Sequence, residues 1–286
     1  MARFDVTGKV ALVTGGARGI GFGVASALAR RGACVAIVDL ELAAAASAAA
    51  RLPGNALGLA ADVSDRAAMR RAVATVTEQR GGLDVVVANA GVGSGAATVR
   101  AMSEQSFDRV LAVNLGGVYN TVITGLPQIV ARRGHIVVTS SVYAFANGLG
   151  AGPYAVSKAG VEQLGRALQV ELAPHGATLS IAYFGFIDTE MVHRTVDADP
   201  AAVKMFAILP KVLHKRLSPE QAGEAIAAAV ERRAPRVIAP KRWAAFSALR
   251  GLVNPMLDRY MTTDRDTQAL VRELDAREGD EQVLTA

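Results

Sequence analysis

The sequence predicts an α/β protein: a doubly wound, three-layer parallel sheet of about seven strands, followed by a helical extension. Three observations carry this expectation. Seven short apolar runs recur along residues 1–240, with stretches of helical periodicity between them. The runs are almost continuously apolar rather than alternating, as suits strands buried on both faces. Most of them end in Gly, Asp, Asn or Ser, at the edge where open parallel sheets collect their ligands.

The elements follow in order. Val10–Thr14 is the first apolar run, and Gly15-Gly16-Ala17-Arg18-Gly19-Ile20-Gly21 follows it. A helical stretch then reaches Arg31 and stops at Gly32. Cys34–Val38 is the second strand and ends in Asp39. Glu41–Arg51 is an alanine-rich helix. Ala56–Ala60 is a short strand leading to Asp62-Val63, after which Ser64 is expected to cap a helix to about Arg80. Leu83–Ala88 is the fourth strand, ending Asn89-Ala90-Gly91 in a glycine-rich loop. Ser103 is expected to cap a long helix containing Asn114. His135–Ser140 is the fifth strand and runs into Ser141. The helix opened by Gly152 stops at Pro174 and Gly176. Thr178–Tyr183 is the sixth strand, Ser218-Pro219-Glu220 starts a helix, and Arg236–Ala239 is the seventh strand.

Composition bounds the rest. A chain of 286 residues, 51% hydrophobic and 20% charged, can bury a substantial core and is not disordered. Residues 1–240 read as one domain and 241–286 as the extension. No apolar run reaches the ~18 residues needed to span a bilayer, and the first residues lack a signal-peptide core, so a cytoplasmic protein, at most peripheral to a membrane, is expected. Cys34, the single cysteine, reads as a buried free thiol. Residues 204–259 hold eleven Lys/Arg against four Asp/Glu, and residues 260–286 hold three against seven. The basic excess is local. It suits an acidic substrate, an anionic membrane surface or a merely solvated face, and no nucleic-acid motif accompanies it. No residue set suggests a metal site.

The glycines after the first strand let backbone approach a pyrophosphate, and the helix that follows offers N–H donors and a positive dipole end. Asp39 stands where an acid accepts hydrogen bonds from adenosine ribose hydroxyls and repels a 2′-phosphate, which favours NAD over NADP. Arg18 could reach a phosphate or lie on the surface. Tyr154 and Lys158 lie four apart at the start of a helix and share a face. A cation beside a phenol favours the phenolate, so the pair is suited to general acid/base work. Alone the spacing is common in helices and assigns nothing.

In company it does more. Thr14 to Gly21 resembles the TGxxxGxG of the short-chain dehydrogenase/reductase family, and Asn89-Ala90-Gly91 resembles its NAG. Asn114, Ser141, Tyr154 and Lys158 match its catalytic tetrad. Ser140 is the rival serine, but the family spacing prefers Ser141. The likeness covers roughly residues 5–240 and implies a Rossmann-type fold. It implies that Tyr154 transfers the proton, that Lys158 holds the nicotinamide ribose and lowers the Tyr154 pKa, that Ser141 bonds the reacting oxygen, and that Asn114 holds a relay water. Cofactor contacts are implied at Gly15, Ala17, Arg18, Gly19, Ile20 and Gly21, at Asp39 and Leu40, and at Asp62 and Val63. Further contacts fall at Asn89, Ala90 and Gly91, and at Gly185, Ile187 and Thr189. The family usually has Pro-Gly after the sixth strand; here Phe184 replaces the proline, which frees the backbone near the nicotinamide.

Residues 190–217 correspond to the family's substrate lid and are strongly apolar, with Met191, Val192, Val196, Val203, Met205, Phe206, Ile208, Leu209, Val212 and Leu213. Tyr143 and Leu149 precede Tyr154, and Phe186 follows the sixth strand. With Ser141, Tyr154 and Met191 they form the expected substrate wall, suited to a hydrophobic alcohol or ketone. The extension is apolar at helical spacing with basic flanks: an interfacial helix giving peripheral membrane contact through 241–260, a flap over the pocket, or a helix packed on its own or a neighbouring subunit. The acidic end reads as a solvated helix and frayed tail. Family likeness suggests a homotetramer or homodimer. An NADPH-dependent 3-oxoacyl-thioester reductase, a lipid-surface binder and a silent dinucleotide sensor stay open as alternatives.

Overall fold

A computed structural model describes residues 3–208 and 210–277. Its centre is one seven-stranded sheet in the order β3-β2-β1-β4-β5-β6-β7, with every pairing parallel. The strands are β1 (Val10–Thr14), β2 (Cys34–Asp39), β3 (Leu57–Ala60), β4 (Val85–Ala88), β5 (His135–Ser141), β6 (Thr178–Phe184) and β7 (Arg236–Ala239). The helices between them are α1 (Gly19–Arg30), α2 (Leu42–Ala50), α3 (Arg66–Arg80), α4 (Glu104–Leu111), α5 (Gly117–Ala131) and α6 (Gly152–Leu172). After β6 come α7 (Glu190–Val192), α8 (Pro200–Ile208) and α9 (Pro219–Arg232), and β7 leads into α10 (Trp243–Thr263) and α11 (Arg265–Asp275). The fold is the Rossmann-like αβα sandwich that the apolar runs and their spacing predict.

Burial on both faces explains the continuous apolar runs. Val10 and Leu12 of β1 face a core built with Met69, Val76, Ile129, Val161 and Leu172. Ala11 and Val13 face the other, built with Val24, Leu28, Ile226 and Val230. The chain reverses its winding between β1 and β4, which pair in register from Ala11↔Val85 to Val13↔Val87. At that switch point Thr14 Oγ1 accepts the N–H groups of Asn89 (3.0 Å) and Ala90 (3.2 Å). A crevice therefore opens at the carboxyl ends of these strands, where ligands of such sheets bind.

Several expectations change. Asp65, not Ser64, caps α3: its carboxylate accepts Ala67 N–H at 2.8 Å, while Ser64 is bonded to Asp62 instead. Ser103 and Ser218 cap α4 and α9 as expected, the latter in a full capping box. The long helix with Asn114 is interrupted by a π segment, Ala112–Gly116, between α4 and α5. The run Glu104–Ala131 is long and apolar enough by composition to cross a membrane, but α5 buries Val118, Val122 and Ile129 in the sheet's core. Cys34 is exposed, because burial in β2 begins only at Val35.

The acidic end is not simply solvated. α11, capped by Asp264, buries Thr267, Leu270 and Leu274, and the two leucines join Ala201, Ala202 and Met205 of α8. Lys204 pairs with Glu273 and Arg277 with Asp199, so part of the basic excess meets acids within the chain. α10 packs its inner side on the loop before α6: Asn254 donates to Phe145 O, and Arg250 forms two bonds to Glu162 of α6. Leu249, Leu252, Met256 and Tyr260 stay exposed on its outer side. Leu209 and the tail from residue 278 lie outside the described residues.

α1 crosses α9 at two glycines. A Cβ on Gly23 would lie 2.2 Å from the Pro219 carbonyl oxygen. Helix propensity alone makes Gly→Ala stabilising by roughly 0.5–1 kcal/mol, whereas overpacking costs about 1–3 kcal/mol. The second effect is the larger. Gly23→Ala is therefore expected to lower the urea midpoint, and a raised midpoint would contradict this crossing.

Candidate active site

The crevice is a cavity of about 410 Å³, in the size range of small-ligand sites. Its floor is the turn between β1 and α1. Gly15 has a positive φ of 61°, and a Cβ on Gly21 would lie 2.0 Å from the Gly15 carbonyl oxygen, so the turn and the first helical residues touch. Arg18 stands at the N-cap of α1 without a side-chain cap, and no acid occupies the first turn. The leading N–H groups of α1 thus face the cavity without a side-chain partner, a cradle for an anion.

Beside it Asp39 ends β2. One carboxylate oxygen accepts Ala17 N–H (2.9 Å) and the other accepts Leu40 N–H (2.9 Å), so the acid is held rigidly at the cavity edge. Leu40, Asp62 and Val63 continue this wall, and Asn89, Ala90 and Gly91 line the next strand end. Gly185, Ile187, Thr189 and Met191 close the far side. Of the expected cofactor contacts only Ala17 is outside the lining, and its N–H acts through Asp39. Arg18 is exposed at the surface and pairs with Glu190 at 2.7 Å, and Glu190 also pairs with Arg194.

α6 carries Tyr154 and Lys158 to the inner end. Lys158 is 4% exposed and donates to Thr139 O at 3.0 Å, with its Nζ 5.5 Å from the Tyr154 ring centre. Burial holds its pKa down to about 8. The two serines differ in their partners: Ser140 lines the cavity and its Oγ donates to the Lys158 carbonyl (2.9 Å), whereas Ser141 Oγ donates to Phe184 O (3.3 Å), accepts the Tyr143 N–H (3.2 Å) and lies beside the Tyr154 phenol. Burial raises the Tyr154 phenol, and the bond to Ser141 pulls the other way. Lys158 is not among the groups that move it, so the expected lowering by Lys158 is corrected: desolvation wins.

Asn114 is fully buried in the π segment. Its amide donates to Val92 O (2.9 Å) and Ser157 Oγ (3.3 Å), and its oxygen accepts Val92 N–H (2.8 Å). Both amide hydrogens are spent on protein, so a water at Asn114 would be held by an oxygen and not by the amide N–H groups. Tyr143 packs edge-on against Tyr154 at 5.8 Å. Ser141, Tyr143, Leu149 and Phe186 do not line the cavity; Phe186 is buried in one of the sheet's two cores and meets Phe206 edge-on at 4.5 Å. The lining also includes Val113, Thr139, Glu190 and Arg194, which sequence reasoning passed over. The i,i+4 charges of Glu190 and Arg194 directly after Thr189 were the available signal.

With this geometry in place, comparison with known proteins gives the class. Residues 9–200 match the family model described as short chain dehydrogenase. The chain belongs to that family of oxidoreductases, which act on CH–OH groups with a nicotinamide dinucleotide. A Mycobacterium tuberculosis protein described as oxidoreductase EphD is 35% identical over 258 residues, 84% of this chain and 42% of its own length. The chain therefore spans less than half of that relative. The 3-oxoacyl-[acyl-carrier-protein] reductase FabG of Chlamydia muridarum is 38% identical over 64% of this chain and 75% of its own. A crystal structure of a short-chain type dehydrogenase/reductase from Mycobacterium marinum superposes with a TM-score of 0.74 at 29% identity, covering 82% of this chain and 94% of that one.

The donor cradle, Asp39 and the glycine turn fit such a dinucleotide. A dinucleotide held by the Lys158 ammonium would bind in a pH-dependent way. The lysine's folded pKa of about 8 lies below the ordinary 10.5, so the ammonium is present below pH 8 and lost above it. Binding that uses the ammonium is then full below pH 8 and weakens about tenfold per pH unit above it. NADH titrations across this range should show that bend, and a flat profile would contradict it.

Proposed function

We propose that the chain is an NAD(H)-dependent oxidoreductase that interconverts a hydrophobic secondary alcohol and its ketone, with Tyr154 as general acid and base. The observation that carries this reading is the meeting of Tyr154 and Lys158 at the inner end of the cradle, with Ser141 beside the phenol. A bound nicotinamide dinucleotide would supply the hydride acceptor or donor. The protein's part is positioning and proton transfer. Ser141 hydrogen-bonds the reacting oxygen, and Tyr154 gives it a proton in reduction or takes one in oxidation. Lys158 holds the nicotinamide ribose. Asn114 fixes the loop at Val92 and the helix at Ser157. Burial keeps the phenol protonated at neutral pH, the form from which the reductive direction starts.

The hydrophobic substrate class rests on the apolar lid. Met191 and Val192 line the cavity, and two of its three arginines, Arg18 and Arg194, are engaged by Glu190, with Arg109 the third. Likeness to FabG supports a second reading, a 3-oxoacyl-thioester reductase using NADPH; Asp39 speaks against it by repelling a 2′-phosphate. Exposed Tyr119, Ile123 and Val156 support assembly into a homodimer or homotetramer. The outer stripe of α10, flanked by Lys241 and Arg259, supports contact with a lipid surface.

Two substitutions test this. Tyr154→Phe removes the proton and is expected to cut turnover by about 10²-fold or more while NADH binding stays intact; retained turnover would sink the mechanism. Asp39→Ala is expected to raise the NADP-to-NAD binding ratio about tenfold, equivalent to ~1.4 kcal/mol of relieved repulsion. An unchanged ratio would mean that Asp39 does not read the ribose.

A further inference from the structure

The segment after β6 is the weak point of the cofactor wall. Phe184, Gly185, Ile187 and Thr189 all line the cavity, yet the proline that would fix this turn is absent. On one side the sheet holds it, because Gly185 N–H donates to Ala239 O at 3.0 Å and so extends the β6–β7 ladder. On the other side stands Trp243, the first residue of α10 and the only tryptophan in the chain. It is 1% exposed and is the largest of the fully buried side chains.

The indole lies directly on Gly185. A Cβ there would be 2.4 Å from Trp243 Nε1 and 3.0 Å from its Cδ1, so the ring occupies the space a side chain would need. Trp243 also meets Phe246 edge-on at 5.9 Å, Phe246 meets Phe145 at 5.8 Å, and Phe145 meets Tyr183 at 5.7 Å. Phe145 sits in the loop between Ser141 and Tyr154. One aromatic cluster thus joins α10, β6 and the loop that leads to the proton-transfer residues. Trp243 Nε1 is buried without a hydrogen-bond partner among the described residues. That arrangement costs free energy that a phenyl ring would not incur, so the indole's contribution here is its shape against Gly185.

We propose that Trp243 is a positioning residue for the nicotinamide end of the cavity. Its ring fixes the path of Phe184 and Gly185, the constraint a proline would otherwise supply. The extension beyond residue 240 is then part of the cofactor site. This inference rests on the reading of the cavity as a dinucleotide site.

The test uses the full chain with two ligands, NAD+ and ADP-ribose, which lacks the nicotinamide ring. In the wild type, saturating NAD+ is expected to shift or quench Trp243 emission, while ADP-ribose leaves it unchanged. Trp243→Ala is expected to weaken NAD+ about tenfold and leave ADP-ribose within about twofold, a loss of ~1.4 kcal/mol confined to the nicotinamide end. Trp243→Phe should restore most of the difference. Equal weakening of both ligands, or of neither, would overturn the proposal. If Trp243→Ala does not fold, the wild-type emission and Trp243→Phe decide it: identical emission responses to both ligands would overturn it. Failure of the wild type to bind either ligand would instead overturn the dinucleotide reading itself.

Discussion

The centre of this molecule depends on keeping an ammonium group out of water. Lys158 is buried, and burial alone draws its pKa down to about 8. Without partners such a charge is expensive. Here it donates to Thr139 O at the end of β5, and Ser140 anchors the Lys158 backbone from the neighbouring position. The amine therefore stays charged at neutral pH and has hydrogens left for a ligand. The same dry environment raises the Tyr154 phenol. Desolvation thus does two things at once: it keeps the phenol protonated and it leaves the lysine close to titration.

That environment exists because of the sheet. Strands buried on both faces bring β1, β4 and β5 to a common edge, and Thr14 ties β1 to the start of the Asn89 loop. α6 then delivers Tyr154 and Lys158 from one side while the lid delivers Met191 from the other. The π segment serves the same end. By holding Val92 and Ser157, Asn114 locks the loop beneath the cavity to the helix that carries the phenol.

Much of this could be read from the sequence because it is encoded locally. The glycine turn, Asp39, the capping box at Ser218 and the Tyr154/Lys158 spacing each lie within one or two elements. Where two neighbours had the same capability, the sequence could not choose: Ser64 and Asp65 both cap helices, and only the folded chain shows that Asp62 occupies Ser64. The long-range arrangements were the illegible part. α11 has apolar residues at 270 and 274 among many acids, and its docking on α8 depends on Lys204 and Arg277 meeting acids far away in the chain. The contact of Trp243 with Gly185 has no local signature at all. The effect of Lys158 on Tyr154 was misjudged because spacing gives proximity but not dielectric.

The extension packs against the lid and the site's supporting loop. α11 docks on α8 of the lid, and α10 backs the loop before Tyr154. The proposed hydrophobic alcohol or ketone would place its oxygen beside Tyr154 and its body against Met191 and Val192 of the lid. The central claim is hydride transfer between such a substrate and the dinucleotide. It is tested most directly by supplying NAD+ with hydrophobic secondary alcohols deuterated at the carbinol carbon, and analysing the recovered dinucleotide by mass spectrometry. The account predicts NADH carrying the deuterium on its nicotinamide ring. NADH formed without label, or none formed from any alcohol of this class, would contradict it.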